Sequence, residues 1–165
     1  MEHGTPGAPI HQNTPAAGRA PLGFGAFVTL SRSRYLLYAR ARLQDEQAGQ
    51  AAVVEALYRM HGRWDVVLRG PSPAREAWCA LRRSVTAARR ARDRAGTASG
   101  EDLLHRLLPD PIADIVLLRH RLGIGPEAVA ALMGIERSVV EAGALAGRRL
   151  LSEYLSDLRE VLPHI

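Results

Sequence analysis

The chain has 165 residues, 47% of them hydrophobic but only 5% aromatic, and a formal net charge of +5 at pH 7. That length suits one ordinary domain or two small ones, and the shortage of β-branched runs favours helices over sheets. A lone cysteine, Cys79, excludes an internal disulfide, and no apolar run approaches the roughly 18–20 residues that span a bilayer.

All 22 basic residues are arginine. The planar guanidinium fork suits phosphate, although GC-rich codon usage produces the same bias. No signal-peptide h-region follows Met1, so the expected location is cytoplasmic.

Residues 1–23 carry Pro6, Pro9, Pro15 and Pro21 among Gly, Ala and Thr without periodicity, which predicts a disordered tail. The first ordered block is expected over 24–94. Its opening helix places Phe27, Leu30, Leu37, Tyr38 and Ala41 on one face. A second begins near Glu46, with Val53, Leu57, Met60 and Trp64 spaced four, three and four apart. "RGPSP", Arg69 to Pro73, breaks the chain, and Ser72 before Pro73 forms an N-cap and first turn. The third helix aligns Trp78, Leu81, Val85 and Ala88, giving a three-helix bundle.

"GTASG", Gly96 to Gly100, marks a flexible linker over 95–102. The second block, 103–162, holds a helix opened by Asp110 and Pro111 and running to about Arg121. "GIGP" then turns the chain into a short helix that Gly134 ends, and a longer helix follows to about Leu158. A block of about 60 residues buries a marginal core, so it is expected to lean on the first block or on a partner. The fold class predicted is therefore all-α, as two small helical domains.

No catalytic constellation is expected. The six histidines are scattered with no H-x-x-x-H or His/Cys cluster at metal-ligand spacing. Cys79 beside Trp78 has the setting of an inert thiol. "GIGPEA" lacks the third glycine and the preceding strand of a dinucleotide loop. Single acids such as Glu55 and Glu76 suit solvated helix faces. The expectation is a protein that is not an enzyme, with no cofactor, metal, membrane or small-molecule substrate.

Two features point to nucleic acid. Between Leu81 and Ala95 stand Arg82, Arg83, Arg89, Arg90, Arg92 and Arg94, opposed only by Asp93. Arg82, Arg83, Arg89 and Arg90 fall on one side of a helix and suit a phosphate track; an arginine-rich solvated face is the plain alternative. The second is the helix-turn-helix of Pro126 to Leu151. Val129, Leu132 and Met133 are expected to pack on Val140, Ala144, Gly147, Leu151 and Tyr154, with Gly143 and Gly147 allowing a close approach there. The face left open carries Ser138, Glu141, Ala142, Leu145, Arg149 and Ser152. A base-reading face ordinarily holds Arg, Lys, Asn or Gln. Ser138 and Glu141 also spell S-x-x-E, a capping box.

Taken together, "YLLYARARLQDEQAGQAAVVEALYRMHGRWDVV", "AWCALRRSVTAARRARDR" and "LLPDPIADIVLLRHRLGIGPEAVAALMGIERSVVEAGALAGRRLLSEYL" resemble a bacterial RNA polymerase sigma factor of the extracytoplasmic-function group, over about Phe24 to Leu155. The resemblance includes Leu108-Pro109, Leu118-Arg119, Gly123, and Ala130 with Gly134. It implies a region-2-like domain and a region-4-like domain. It also implies RNA polymerase core and promoter DNA as partners, and an anti-sigma or other regulatory protein as a further one. On this basis Arg82, Arg83, Arg89, Arg90, Arg92, Arg137, Ser138, Glu141, Arg148 and Arg149 are expected at DNA, and Glu55, Arg59 and Arg63 at the polymerase.

The chain departs from the family pattern at Gln50, Ala51 and Val54 of the clamp-binding helix, and near Val85 of the promoter-melting helix. It also departs at Val139, Glu141 and Gly143 of the reading helix. A sigma-like scaffold acting through protein contacts, without promoter reading, is therefore the alternative function.

Overall fold

The computed structural model describes residues 23–98, 100 and 102–161. The predicted tail lies outside them except for Gly23. The described residues hold eight α-helices and no strand: α1 (Phe24–Leu43), α2 (Glu46–His61), α3 (Trp64–Arg69), α4 (Pro73–Ala95), α5 (Leu103–Leu107), α6 (Asp110–Val116), α7 (Pro126–Met133) and α8 (Arg137–Val161). Among these, none is long and apolar enough to cross a membrane. The chain is all-α.

Local chemistry sets the helix ends. Asp45 Oδ1 accepts from the Ala48 amide at 2.8 Å to start α2, and Ser72 Oγ accepts from the Arg75 amide at 3.2 Å ahead of Pro73. Each satisfies one of the amides that a helix start leaves unbonded. Two short helices were not separable in the sequence. Trp64 opens α3 instead of extending α2, and α5 forms directly after the predicted linker.

The face that α1 buries differs from the expected one. Tyr38 is buried as expected and Phe27 and Ala41 pack partly against the core, but Leu30 is 77% and Leu37 45% exposed, whereas Phe24, Ser31, Tyr35, Ala39, Arg42 and Leu43 are buried. The stripe is rotated because Tyr35 and Tyr38 pack their rings toward Trp78, with the Tyr38 and Trp78 centroids 4.6 Å apart. Two large rings with a buried polar edge outweigh two leucines. Of the expected stripes of α2 and α4, Val53, Met60, Trp78, Leu81 and Val85 are buried and Leu57 and Ala88 half-buried, while Trp64 is buried at the start of α3.

α6 runs on into a π-helical turn, Leu117–Arg121, closed by the Leu122 amide on the Leu117 carbonyl at 3.0 Å. The wider turn leaves Leu117 and Leu118 both buried. At Gly134 the chain turns from α7 toward α8 with φ 65°, and a Cβ there would collide with the Arg75 backbone and the Ser72 hydroxyl. Glycine is needed twice over: for the left-handed backbone and for the close pass over the start of α4.

Gly143 and Gly147 do permit a close approach, but to α6. A side chain on them would meet Ile115 and Val116 rather than α7. Val140 and Ala144 are buried as expected, Leu151 is half-buried, and Tyr154 is 47% exposed, contrary to expectation. The apolar stripe of α8 continues through Leu155 and Leu158, which also remain exposed. Ile115, Leu117, Leu118, Val129, Leu132 and Met133 join Tyr38, Trp78 and Leu81 in one continuous core. The trailing helices therefore lean on the leading ones, as their small size requires.

Candidate nucleic-acid interface

The arginines of α4 divide into two sets. Arg82 binds α6 through Nε to Asp114 Oδ2 at 2.6 Å and Nη2 to Asp110 Oδ2 at 3.1 Å. Arg89 pairs with Asp93 at 3.1 Å and donates to the Gly100 carbonyl at 2.6 Å. Arg92 pairs with Asp45 at 3.0 Å and donates to the Thr97 carbonyl at 2.9 Å. All three are at least partly buried. Arg83 and Arg90 are exposed and make no ion pair among the described residues. The predicted stripe is thus brought to one helix, but only Arg83 and Arg90 of its five predicted site residues present open guanidinium groups.

Arg83 lines a 260 Å³ cleft with Arg59, Arg63 and Glu76. This brings two of the three residues expected at the polymerase beside one expected at DNA. Glu55, the third, pairs with Arg59 at 2.7 Å on the outer face of α2, and both are exposed. Val54 and Tyr58 on that helix are 62% and 76% exposed.

At the helix-turn-helix, Arg137, Ser138, Glu141, Arg148 and Arg149 are all exposed. The amides of Val139 and Val140 bond the Glu136 carbonyl at 3.0 and 3.3 Å, so α8 starts at Arg137 and Ser138 already lies within its first turn. The capping-box reading is therefore corrected. Glu141 instead accepts from Arg137 Nε at 2.8 Å, and Arg137 Nη1 meets Glu127 at 2.5 Å. These carboxylates hold the Arg137 pKa above its ordinary value. Val139 and Leu145, 50% and 44% exposed, share the outer surface.

Between the leading and trailing helices lies a polar cluster that the sequence did not reveal. Asp114, fully buried, accepts from the Tyr38 hydroxyl at 2.7 Å through Oδ1 and lies 2.8 Å from His105 Nε2. Its Oδ1 is also 3.8 Å from Arg42 Nη1. Arg42, 6% exposed, donates from Nε to Asp102 at 2.6 Å and from Nη1 to the Tyr38 hydroxyl at 2.8 Å. His105 Nδ1 completes the ring at 2.9 Å from Asp102.

Burial raises the Tyr38 pKa and Asp114 raises it further, so this hydroxyl stays a donor. Burial alone would raise the Asp102 pKa, but the bonds from His105 and Arg42 bring it down to about 2. Burial would lower the His105 pKa, yet its two carboxylate partners hold it above the ordinary histidine value. The signals for this cluster were the Tyr38/Arg42 pair at i,i+4 and the Asp102/His105 pair at i,i+3. Nothing local connects either pair to Asp114.

Among the described residues no group of three or more His, Cys, Asp or Glu side chains is placed to hold a metal ion. The chain matches no family model, no curated protein and no solved structure.

Proposed function

We propose that the chain is a sigma-like transcription initiation factor that binds RNA polymerase core and promoter DNA. The observation that carries this reading is the unit α7–Gly134–α8, two helices joined by a glycine turn with one face of α8 turned outward. A helix presented outward after a short helix and turn suits a DNA groove. The sequence resemblance, which runs in the same order through both helical blocks, adds the polymerase. Arg83 and Arg90 on α4, with Arg148 and Arg149 on α8, supply the exposed guanidinium groups for phosphate.

A second reading, a sigma-like scaffold acting through protein contacts without promoter reading, is favoured by the outer face itself. Glu141 is occupied by Arg137, and Val139 and Leu145 beside it are apolar. Such a face suits a protein partner better than base edges. The test is co-purification of the full chain with core polymerase, followed by promoter-dependent initiation in vitro. The proposal expects both. Core binding without initiation favours the scaffold, and absence of core binding overturns both.

A further inference from the structure

His105 lies with both ring nitrogens against carboxylate oxygens, Nδ1 at 2.9 Å from Asp102 and Nε2 at 2.8 Å from Asp114. Two carboxylates accept only, so both contacts are hydrogen bonds only when the ring carries two protons. Neutral imidazole has one N–H. Whichever tautomer forms, a nitrogen lone pair then faces an aspartate oxygen, and a bond becomes a repulsion.

The segment that depends on these contacts is α5. This five-residue helix has no fully buried residue, and its apolar attachment consists of the partly buried Leu104, which touches the main core, and Leu107, both against Leu108, Ala113 and Val116. Its firm ties to the rest of the molecule are polar: His105 to Asp114 on α6, and Asp102 just ahead of it to Arg42 on α1. The segment borders a 540 Å³ cleft whose walls set Arg42, Arg89, Arg90 and Arg106 against Asp93, Asp102 and Asp110.

We propose that α5 is a proton-dependent strap: it is fastened to α6 beside this cleft while His105 is an imidazolium and, still tethered through the Arg42–Asp102 pair, comes loose from α6 when that proton leaves.

The groups around His105 come from every neighbouring element. Tyr38 and Arg42 on α1 share its aspartates, Arg82 on α4 holds the other oxygen of Asp114, and Arg89, Arg90, Arg106 and Asp110 border the cleft. Arg42 opposes the imidazolium, but the two aspartates outweigh it, which agrees with the upward shift of His105. The main seam, Arg42 and Arg82 on Asp114, does not pass through the imidazole, so the rest of the fold stays closed when the strap releases.

Linkage fixes the sign. A proton held more tightly in the fastened state favours that state fully below the free value of about 6.5. The loose-to-fastened ratio then climbs by up to about tenfold per pH unit until the raised value is passed.

The test is amide hydrogen exchange on the full chain from pH 6 to 9.5, each rate divided by its intrinsic rate, beside a nitrogen-15 titration of the histidine rings. The protection of the Arg106 and Leu108 amides, which bond the Asp102 and Leu104 carbonyls, should fall with the climb given above. Core amides of α4 should hold. At pH 7 both nitrogens of His105 should be protonated. In His105→Gln the α5 amides should exchange fast at every pH while α4 remains protected. A neutral His105 at pH 7 would overturn the proposal. So would α5 protection that stays constant as His105 loses its proton, loss of protection in α4 together with α5, or a His105→Gln chain that keeps the original pH profile.

Discussion

Arginine meets carboxylate in two very different places in this molecule. At the seam, Arg42 and Arg82 close on Asp102, Asp110 and Asp114, with the Asp114 side chain fully out of water. At the entry to α8, Arg137 closes on Glu127 and Glu141, and all three side chains are more than half exposed. The shortest distances are alike, 2.6 Å against 2.5 and 2.8 Å, so close approach does not separate them. Solvent does. In water the attraction is screened and ordering two long side chains cancels most of it. In the seam Arg42 and Asp114 have lost their hydration and depend on their partners, although Asp110 at its edge stays in water. A distance alone therefore says little about what a pair contributes.

The strongest way to break this contrast is Asp114→Ala. It strands Arg42, Arg82, His105 and the Tyr38 hydroxyl without their common acceptor, and should destabilise the fold by about 3–5 kcal/mol in chemical denaturation. A cost below 1 kcal/mol would mean the seam is as well hydrated as the α8 entry.

Acid sharpens the comparison next. The Asp102 carboxyl is held at about 2 in the fold against an ordinary value of about 3.9. Its contribution is fully present above that ordinary value and disappears as pH falls through the folded one. Between about pH 4 and pH 2 the chain should lose about 2 kcal/mol of stability from this group. The loss should be absent in Asp102→Asn, as read by denaturation at each pH.

Arg83 and Arg90 extend the test to guanidinium groups with no ion pair among the described residues. Changing both to Ala should leave the thermal midpoint where it is. It should also reduce the salt slope of binding to a duplex by about 2, close to one per released phosphate contact. Changing Arg82 instead should unsettle the fold first. The smallest effect is expected for Glu141→Gln, whose midpoint should match the parent within error because the pair it interrupts is solvated.

Much of the fold was legible in spacing. Val53 and Met60, and then Trp78, Leu81 and Val85, recur at helical intervals, and Ser72-Pro73 and Gly134 mark boundaries by well-understood backbone chemistry. α1 misled because counting apolar residues favours Leu30 and Leu37, while the buried side includes Ser31 and Arg42, which are paid no attention by a hydrophobic count. The site was legible only as composition. That α4 is arginine-rich is plain in the chain, but which arginines are open depends on aspartates brought in from elsewhere. Asp110 and Asp114 lie on α6, and Asp45 precedes α2. Tyr38 and Asp114 are 76 positions apart, and no local pattern joins them. Gly143 and Gly147 announced a tight packing but not which helix would fill it.

The unaccompanied far end of α8 has a mechanical consequence. Past Leu151 the helix runs on for ten residues to Val161, about 15 Å at the usual rise, with Tyr154, Leu155 and Leu158 wetted instead of packed. It behaves as a cantilever whose root is clamped against Ile115 and Val116. Its tip can unwind and rewind turn by turn while the clamp, and everything inboard of it, keeps its shape.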